Sequence, residues 1–190
     1  MIRKIGVYFL SLWLLFLLLI IIKVEIPIYL GSDWEFVGFK ILLMNNIIPL
    51  ICVLSMMIGG LSYYDFNYKT QGTPELSFEI TKIENINYEH LTFLTTYIIP
   101  LACINMKDLR YTIVLVTLLI VVGLIFIRTN IFYMNPTLAI LKYRIYKVTG
   151  NFRKDQIRED IVLICKEKLD LNDCVRYIKL DEKIYYAYKE

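Results

Sequence analysis

Histidine is almost absent from this chain: His90 is the only one in 190 residues. A zinc site takes about four nitrogen or sulfur ligands held in register. The four cysteines, Cys52, Cys103, Cys165 and Cys174, contain no CxxC pair that could supply them. No metal and no other cofactor is therefore expected. The cysteines form no disulfide framework either. Cys52 and Cys103 lie inside apolar runs, where a thiol behaves as a small hydrophobe, and the pattern suits a reducing, cytoplasmic side. There is no glycine-rich phosphate loop, no GxSxG elbow and no HExxH motif. These absences point away from an enzyme. No charged residue falls deep in the long apolar runs, which argues against a proton relay or an ion transporter. His90, beside Glu89, reads as an interfacial residue.

Apolar residues are what the chain has instead. They make up 57% of it, with a mean hydropathy of +0.55, and they concentrate ahead of Arg128 in four runs. The first, Ile5 to Ile22, follows Arg3 and Lys4 and closes at Lys23. It exceeds the roughly 7–15 residues of a signal-peptide core and no small-x-small cleavage site follows it, so a retained signal-anchor helix is expected. The second run, about 37–58, begins near Lys40, which can snorkel. It carries Asn45, Asn46 and Pro49 near its middle and ends at Gly59-Gly60. The third is short and spans a bilayer when extended to about 88–106; Pro100 lies within it. The fourth covers 111–127, and the brief Met106–Arg110 link makes a tight hairpin of the last two. Pro49 and Pro100 are expected to kink their helices.

Charge sets the orientation. From Arg128 onward there are 13 Lys/Arg against 9 Asp/Glu, a surplus of +4, while the rest of the chain sums to −1. With four crossings and the N-terminus inside, 17 basic residues face the cytoplasm and 4 face outward. The positive-inside rule then predicts both termini in the cytoplasm. The basic tail also suits contact with anionic lipid headgroups.

Residues 61–89 form the cytoplasmic loop of this scheme. Tyr63, Tyr64, Phe66 and Tyr68 make an interfacial aromatic cluster, and Gln71 to Pro74 is a turn signal. Apolar residues then alternate through 76–83, as in a half-buried strand. A lone strand needs partners, and the tail offers them. Leu141 to Val148 alternates and ends in the turn signal Thr149-Gly150-Asn151; Ile161–Cys165, Val175–Leu180 and Ile184–Tyr188 follow. The expected fold is an α-helical membrane protein with four transmembrane helices and a small cytoplasmic antiparallel β domain. Residues 1–130 form the membrane domain, and residues 131–190, joined by the strand at 76–83, form the β sheet or barrel.

The polar residues inside the spans are the candidate packing sites. Asn45 and Asn46 near a bilayer midplane must hydrogen-bond to another helix or subunit, with Thr92, Thr95, Thr96 and Pro100 as further packing positions. A water-lined path through the asparagines is the alternative, which would make the protein a small channel or holin-like pore. A plain membrane anchor for a soluble enzyme is a third reading. Asn135-Pro136, flanked by Phe132, Tyr133, Tyr143 and Tyr146, reads as an abrupt turn at headgroup depth. Tyr133, Asn135, Pro136, Tyr143, Arg144 and Tyr146 form the candidate interfacial anchor and docking surface. The +4 tail is too weakly basic for tight nucleic-acid binding of its own.

Two stretches carry a family resemblance: Leu91-Thr92-Phe93-Leu94-Thr95-Thr96-Tyr97-Ile98-Ile99-Pro100-Leu101, and Tyr133-Met134-Asn135-Pro136-Thr137-Leu138-Ala139-Ile140-Leu141-Lys142-Tyr143. With the four-span layout and the length, they resemble the KwaA family, membrane subunits of the Kiwa anti-phage systems of bacteria. Before the aromatic that follows the Asn-Pro segment that family tends to carry Gly, where this chain has Lys142. The resemblance implies a non-catalytic protein of the bacterial inner membrane that works as a homo-oligomer, a tetramer being one stoichiometry considered. It also implies a cytoplasmic DNA-binding partner of KwaB type, with which the membrane subunit senses infection and blocks phage DNA replication or late gene expression.

Overall fold

The computed structural model describes residues 2–25, 38–102, 109–129, 133–152 and 156–190. The expected ends at Val37 and 103–106, most of the Met106–Arg110 link, and Phe132 lie outside them. The chain begins with α1 (Ile2–Ser11) and α2 (Trp13–Lys23), which would have been one helix but bend by 51° at Leu12. No proline or glycine causes the bend. The hydroxyl of Ser11 donates to the Tyr8 carbonyl at 2.7 Å, and that of Thr137 donates to the Leu10 carbonyl at 2.8 Å. Polar groups inserted into the backbone ladder bend helices in this way.

The second run is also divided, into α3 (Phe39–Asn45) and α4 (Ile47–Thr70). Pro49 explains the division: its ring excludes the carbonyl four residues earlier, that of Asn45, so the break falls ahead of the proline and Pro49 sits in the first turn of α4. Gly59-Gly60 does not end the helix. The chain stays helical to Thr70 and absorbs the aromatic cluster expected in a loop. At about 1.5 Å per residue α4 is roughly 36 Å long, more than a bilayer's hydrocarbon core, so its last turns project beyond it.

After β1 (Glu75–Asn85), the third run is helical through α5 (Tyr88–Phe93), a π-helical turn at Leu94–Ile98, and α6 (Ile99–Ala102). Pro100 lacks an N–H, and the turn ahead of it widens so that the Ile99 amide bonds to the Leu94 carbonyl. Next come α7 (Leu109–Thr129) and α8 (Pro136–Ile140). Among the described residues, two helices are long and apolar enough to cross a membrane, at mean hydropathies of 1.8 (47–70) and 2.5 (110–129), or three if the bent α1–α2 pair is one span, against the four expected.

The first helices pack antiparallel to α4 along its length. A Cβ on Gly6 would meet Ser62 Oγ at 2.8 Å, one on Gly59 would meet the Leu10 amide nitrogen at 3.0 Å, and Trp13 Nε1 donates to the Met56 carbonyl at 2.8 Å. Further along, Asn46 grips the backbone of Glu25 through two bonds of 2.9 Å. Small residues allow the close approach, and side chain-to-carbonyl bonds reinforce it where lipid offers no hydrophobic drive. On α7, Gly123 packs under the Tyr8 ring, whose hydroxyl donates to the Leu119 carbonyl at 2.7 Å.

The β domain is a closed barrel ordered β1-β2-β3-β5-β4, built from β1, β2 (Arg144–Phe152), β3 (Gln156–Cys165), β4 (Cys174–Lys179) and β5 (Ile184–Lys189). It is not wholly antiparallel: β3 and β5 run parallel, with Val162 opposite Ile184. This is a five-stranded Greek-key barrel of the OB type. Between β1 and β2, where such barrels carry a loop, this chain inserts α5, α6, α7 and α8. Strand β2 runs through Thr149-Gly150-Asn151, the expected turn. Gly150 is needed for packing, because a Cβ there would collide with the Phe78 ring. Alternate residues fill the barrel, among them Phe78, Ile80, Tyr146, Val148, Leu163, Val175 and Tyr185.

Candidate functional site

The outward residues of the barrel are also buried, on one side only. Strand β3 is buried at five consecutive positions, Ile161–Cys165, and β5 at four, Ile184–Ala187. Their outward members, Val162, Ile164, Ile184 and Tyr186, join Ile145 and Tyr143 in a second core with Leu10 of α1, Phe66 of α4, Ile86 and Leu138 of α8. This junction fastens the barrel to the membrane helices. Phe66 stands edge-on to both Tyr143 and Tyr186, at centroid distances of 5.7 and 6.2 Å. Each such side chain contributes about 1.5–3 kcal/mol on full burial, which supports a barrel too small to be robust alone.

Polar contacts fix the junction's geometry. Asn135 caps α8: its side chain accepts from the Thr137 amide at 3.0 Å, and Pro136 stands at the first helical position, where a missing N–H costs nothing. The Asn-Pro pair is thus a helix start rather than a simple turn. The Asn135 amide donates to Nδ1 of His90 at 3.2 Å, and Asn87 Oδ1 accepts from the Ile145 amide at 2.7 Å. His90 is 4% exposed, a core residue rather than an interfacial one. From the other side, Lys4 Nζ reaches Asp181 between β4 and β5 at 3.2 Å, which places the N-terminal helix beside the barrel.

The expected packing residues are dispersed. Asn46 is satisfied within the chain, by Glu25 and the Leu42 carbonyl, at the end of the α1–α2/α4 pair rather than midway along it. Asn45 is exposed at the end of α3. Thr92 and Thr95 bond back to the Tyr88 and Leu91 carbonyls, and with Thr96 they lie on the exposed face of the third run. Of the expected docking residues only Arg144 is exposed. Asn135, Pro136 and Tyr143 are buried in the junction, Tyr146 inside the barrel, and Tyr133 is half-buried beside them. They build the attachment of the barrel instead of presenting a surface. Burial raises the hydroxyl pKa of Tyr143, pushes that of Tyr186 up to about 12, and raises the Cys165 thiol to about 12.

The sequence gives no sign that Leu10, Thr137 and Tyr186 meet in the junction, and it places Phe66 in an interfacial cluster instead. A signal for Phe66 was present: Cys52, Ser55, Gly59, Phe66 and Thr70 follow one helical stripe straight through the glycine pair.

The Asn135–Thr137 cap falls within one of the two stretches that carry the family resemblance, so the geometry bears on kinship. The family model described as "Anti-phage protein KwaA" matches residues 3–186. The chain belongs to the KwaA family of anti-phage proteins. A curated relative, "Kiwa protein KwaA" of Escherichia coli O55:H7 (strain RM12579 / EPEC), is 34% identical over 188 residues, covering 99% of this chain and 96% of the relative. No solved structure matches the chain. The KwaA match spans both the membrane helices and the barrel, so the junction lies wholly inside the family's extent.

Proposed function

We propose that the chain is the non-enzymatic membrane sensor and scaffold of a Kiwa-type anti-phage system. In this reading it crosses the bacterial inner membrane four times, with both termini cytoplasmic. It assembles as a homo-oligomer and recruits a cytoplasmic DNA-binding partner of KwaB type. One observation carries the reading: a continuous apolar junction, from Leu10 and Phe66 to Ile164 and Tyr186, couples the membrane helices to the barrel. A change in helix arrangement then reaches the cytoplasmic surface without crossing a flexible linker. A signal acts by favouring one arrangement over another. Lys4 beside Asp181 supports a shared side for the N-terminus and the barrel, and Asn45, exposed on α3, is the asparagine available to a neighbouring subunit.

Partner docking then rests on Arg144, the expected docking residue that stays exposed, at the start of β2. The test is co-purification with the product of the adjacent gene from cells expressing both. R144E should sharply reduce recovery of a DNA-binding partner and protection against phage while leaving the membrane protein's yield unchanged. Full recovery with R144E would refute this docking site. Ion conductance by the purified protein in planar bilayers would favour the pore reading instead.

A further inference from the structure

A cleft of about 750 Å³ opens on the barrel between the start of β1, the β2–β3 hairpin and β4. None of its lining residues belongs to the junction, and no role described above uses it. Its size lies within the range of small-molecule sites, and two arginines, Arg158 and Arg176, line it. The Arg158 guanidinium lies over the Phe152 ring at 4.3 Å from the centroid and donates from Nη1 to the Tyr185 hydroxyl at 3.3 Å. Phe152 is itself backed by Phe78, stacked at 4.2 Å, and by the edge of Tyr177 at 5.4 Å. Arg158 is therefore a braced planar cation, and no carboxylate pairs with it among the described residues.

Arg176 donates from Nη2 and Nε to one carboxylate oxygen of Glu190, at 2.7 and 3.1 Å. That pairing, with a hydrogen bond from Ser77, holds the Glu190 carboxyl below its ordinary range. The cleft thus already seats an anionic group on one of its two arginines. Ser77, Thr73 and Gln156 add neutral hydrogen-bonding groups to the lining, and the second carboxylate there, that of Glu75, accepts from the Tyr177 hydroxyl. An arginine fork matches phosphate as well as carboxylate, and an arginine plane backed by an aromatic ring is a platform on which nucleobases stack. A bare inorganic anion would have no use for that platform.

We propose that this cleft binds a nucleoside phosphate, with the base on the outward face of Arg158 and the phosphate on Arg176 in place of the Glu190 carboxylate. Glu190 is then an internal competitor that the ligand displaces. The proposal goes beyond the docking reading and stands whether or not a partner binds through Arg144.

The experiment uses the full chain in lipid nanodiscs and a fluorescent ADP derivative as probe, followed by anisotropy. ADP, pyrophosphate and a glutamate-rich peptide serve as competitors. Saturable binding is expected, with ADP displacing the probe at least tenfold better than pyrophosphate. E190Q should tighten binding severalfold, a gain that misfolding cannot produce. R176A should weaken it roughly tenfold or more, as expected for a lost charge-assisted contact. R158K keeps the charge and loses the plane, so it should lower ADP to the level of pyrophosphate. Absence of saturable binding in both the wild type and E190Q overturns the proposal, as does indifference to R158K and R176A. Equal displacement by ADP and pyrophosphate would leave an anion site only, and displacement by the acidic peptide alone would make the cleft a protein-docking site; either result refutes it.

Discussion

Two adjacent glycines in α4 should respond to the same substitution with opposite signs. Replacing either with alanine in a helix interior gains about 0.8–1 kcal/mol of intrinsic helix preference. At Gly60 the new methyl would lie 3.4 Å from Trp13 Cζ2, an ordinary contact, so G60A should be stabilising by up to that amount. At Gly59 it would stand 2.6 Å from Trp13 Nε1 and 3.0 Å from the Leu10 amide nitrogen. The indole can swing away, but only by giving up its bond to the Met56 carbonyl, worth about 0.5–1.5 kcal/mol. The α1 backbone can retreat only by opening the helix pair, and overpacking of this kind costs about 1–3 kcal/mol. After the gain in helix preference is subtracted from the two costs together, G59A should be destabilised by roughly 0.5–3.5 kcal/mol. Thermal unfolding in detergent, read through tryptophan emission, would show the midpoint falling for G59A and holding or rising for G60A. If both variants moved in the same direction, the glycines would be acting through helix preference alone and the packing argument would be wrong.

Lys142 sits at φ +65°, a left-handed conformation unfavourable to a side chain, so K142G should raise the unfolding midpoint by the equivalent of about 1 kcal/mol. In a chain with Cys52 and Cys103 replaced by alanine, a membrane-impermeant maleimide should label exposed Cys174 and spare buried Cys165, whose thiol is held at about 12. Labelling in inverted inner-membrane vesicles but not in intact spheroplasts would support the cytoplasmic barrel; the reverse pattern would overturn it. Lys147, Lys189 and Arg176 lower the carboxyl pKa values of Asp160, Asp173 and Glu190. Their contribution to stability is complete above the ordinary carboxylate range and is lost as pH falls through the lowered values. Acid titration of the barrel's near-ultraviolet circular dichroism should show that loss below about pH 4 and a smaller loss in D160N/D173N, where only the Glu190 part remains.

The strands were legible because a barrel imposes alternation: Phe78 and Ile80 point in while Glu79 and Thr81 point out, and 76–83 falls within two residues of β1. The same rule fails where both faces are covered, as in Ile161–Cys165, which reads as an undifferentiated apolar run. Glycine misled twice for one reason. Gly59-Gly60 and Gly150 read as breaks, yet Gly59 and Gly150 are places where another side chain comes too close for a Cβ. Asn46 was placed at mid-membrane because hydropathy marked the second helix as ending at Ile58, although the tyrosine-rich continuation is also helical. The tyrosines and the Asn-Pro pair after α7 stand out in the sequence, where they read as a surface. Their burial depends on Phe66 and Leu10 arriving from distant parts of the chain, which local pattern cannot show. The arginine cleft was invisible for the same reason, since β3 and β4 supply its two cations separately.

The barrel's first strand is synthesised before the α5–α7 segment and its other four after it. Strand β1 pairs with both β2 and β4, so the ring cannot close on the ribosome until the intervening helices have been delivered and their ends brought back together. A finished barrel therefore reports that the whole α5–α8 segment has been made and its two ends have met. Under the docking reading proposed above, a partner that binds the closed ring would pass over half-made copies.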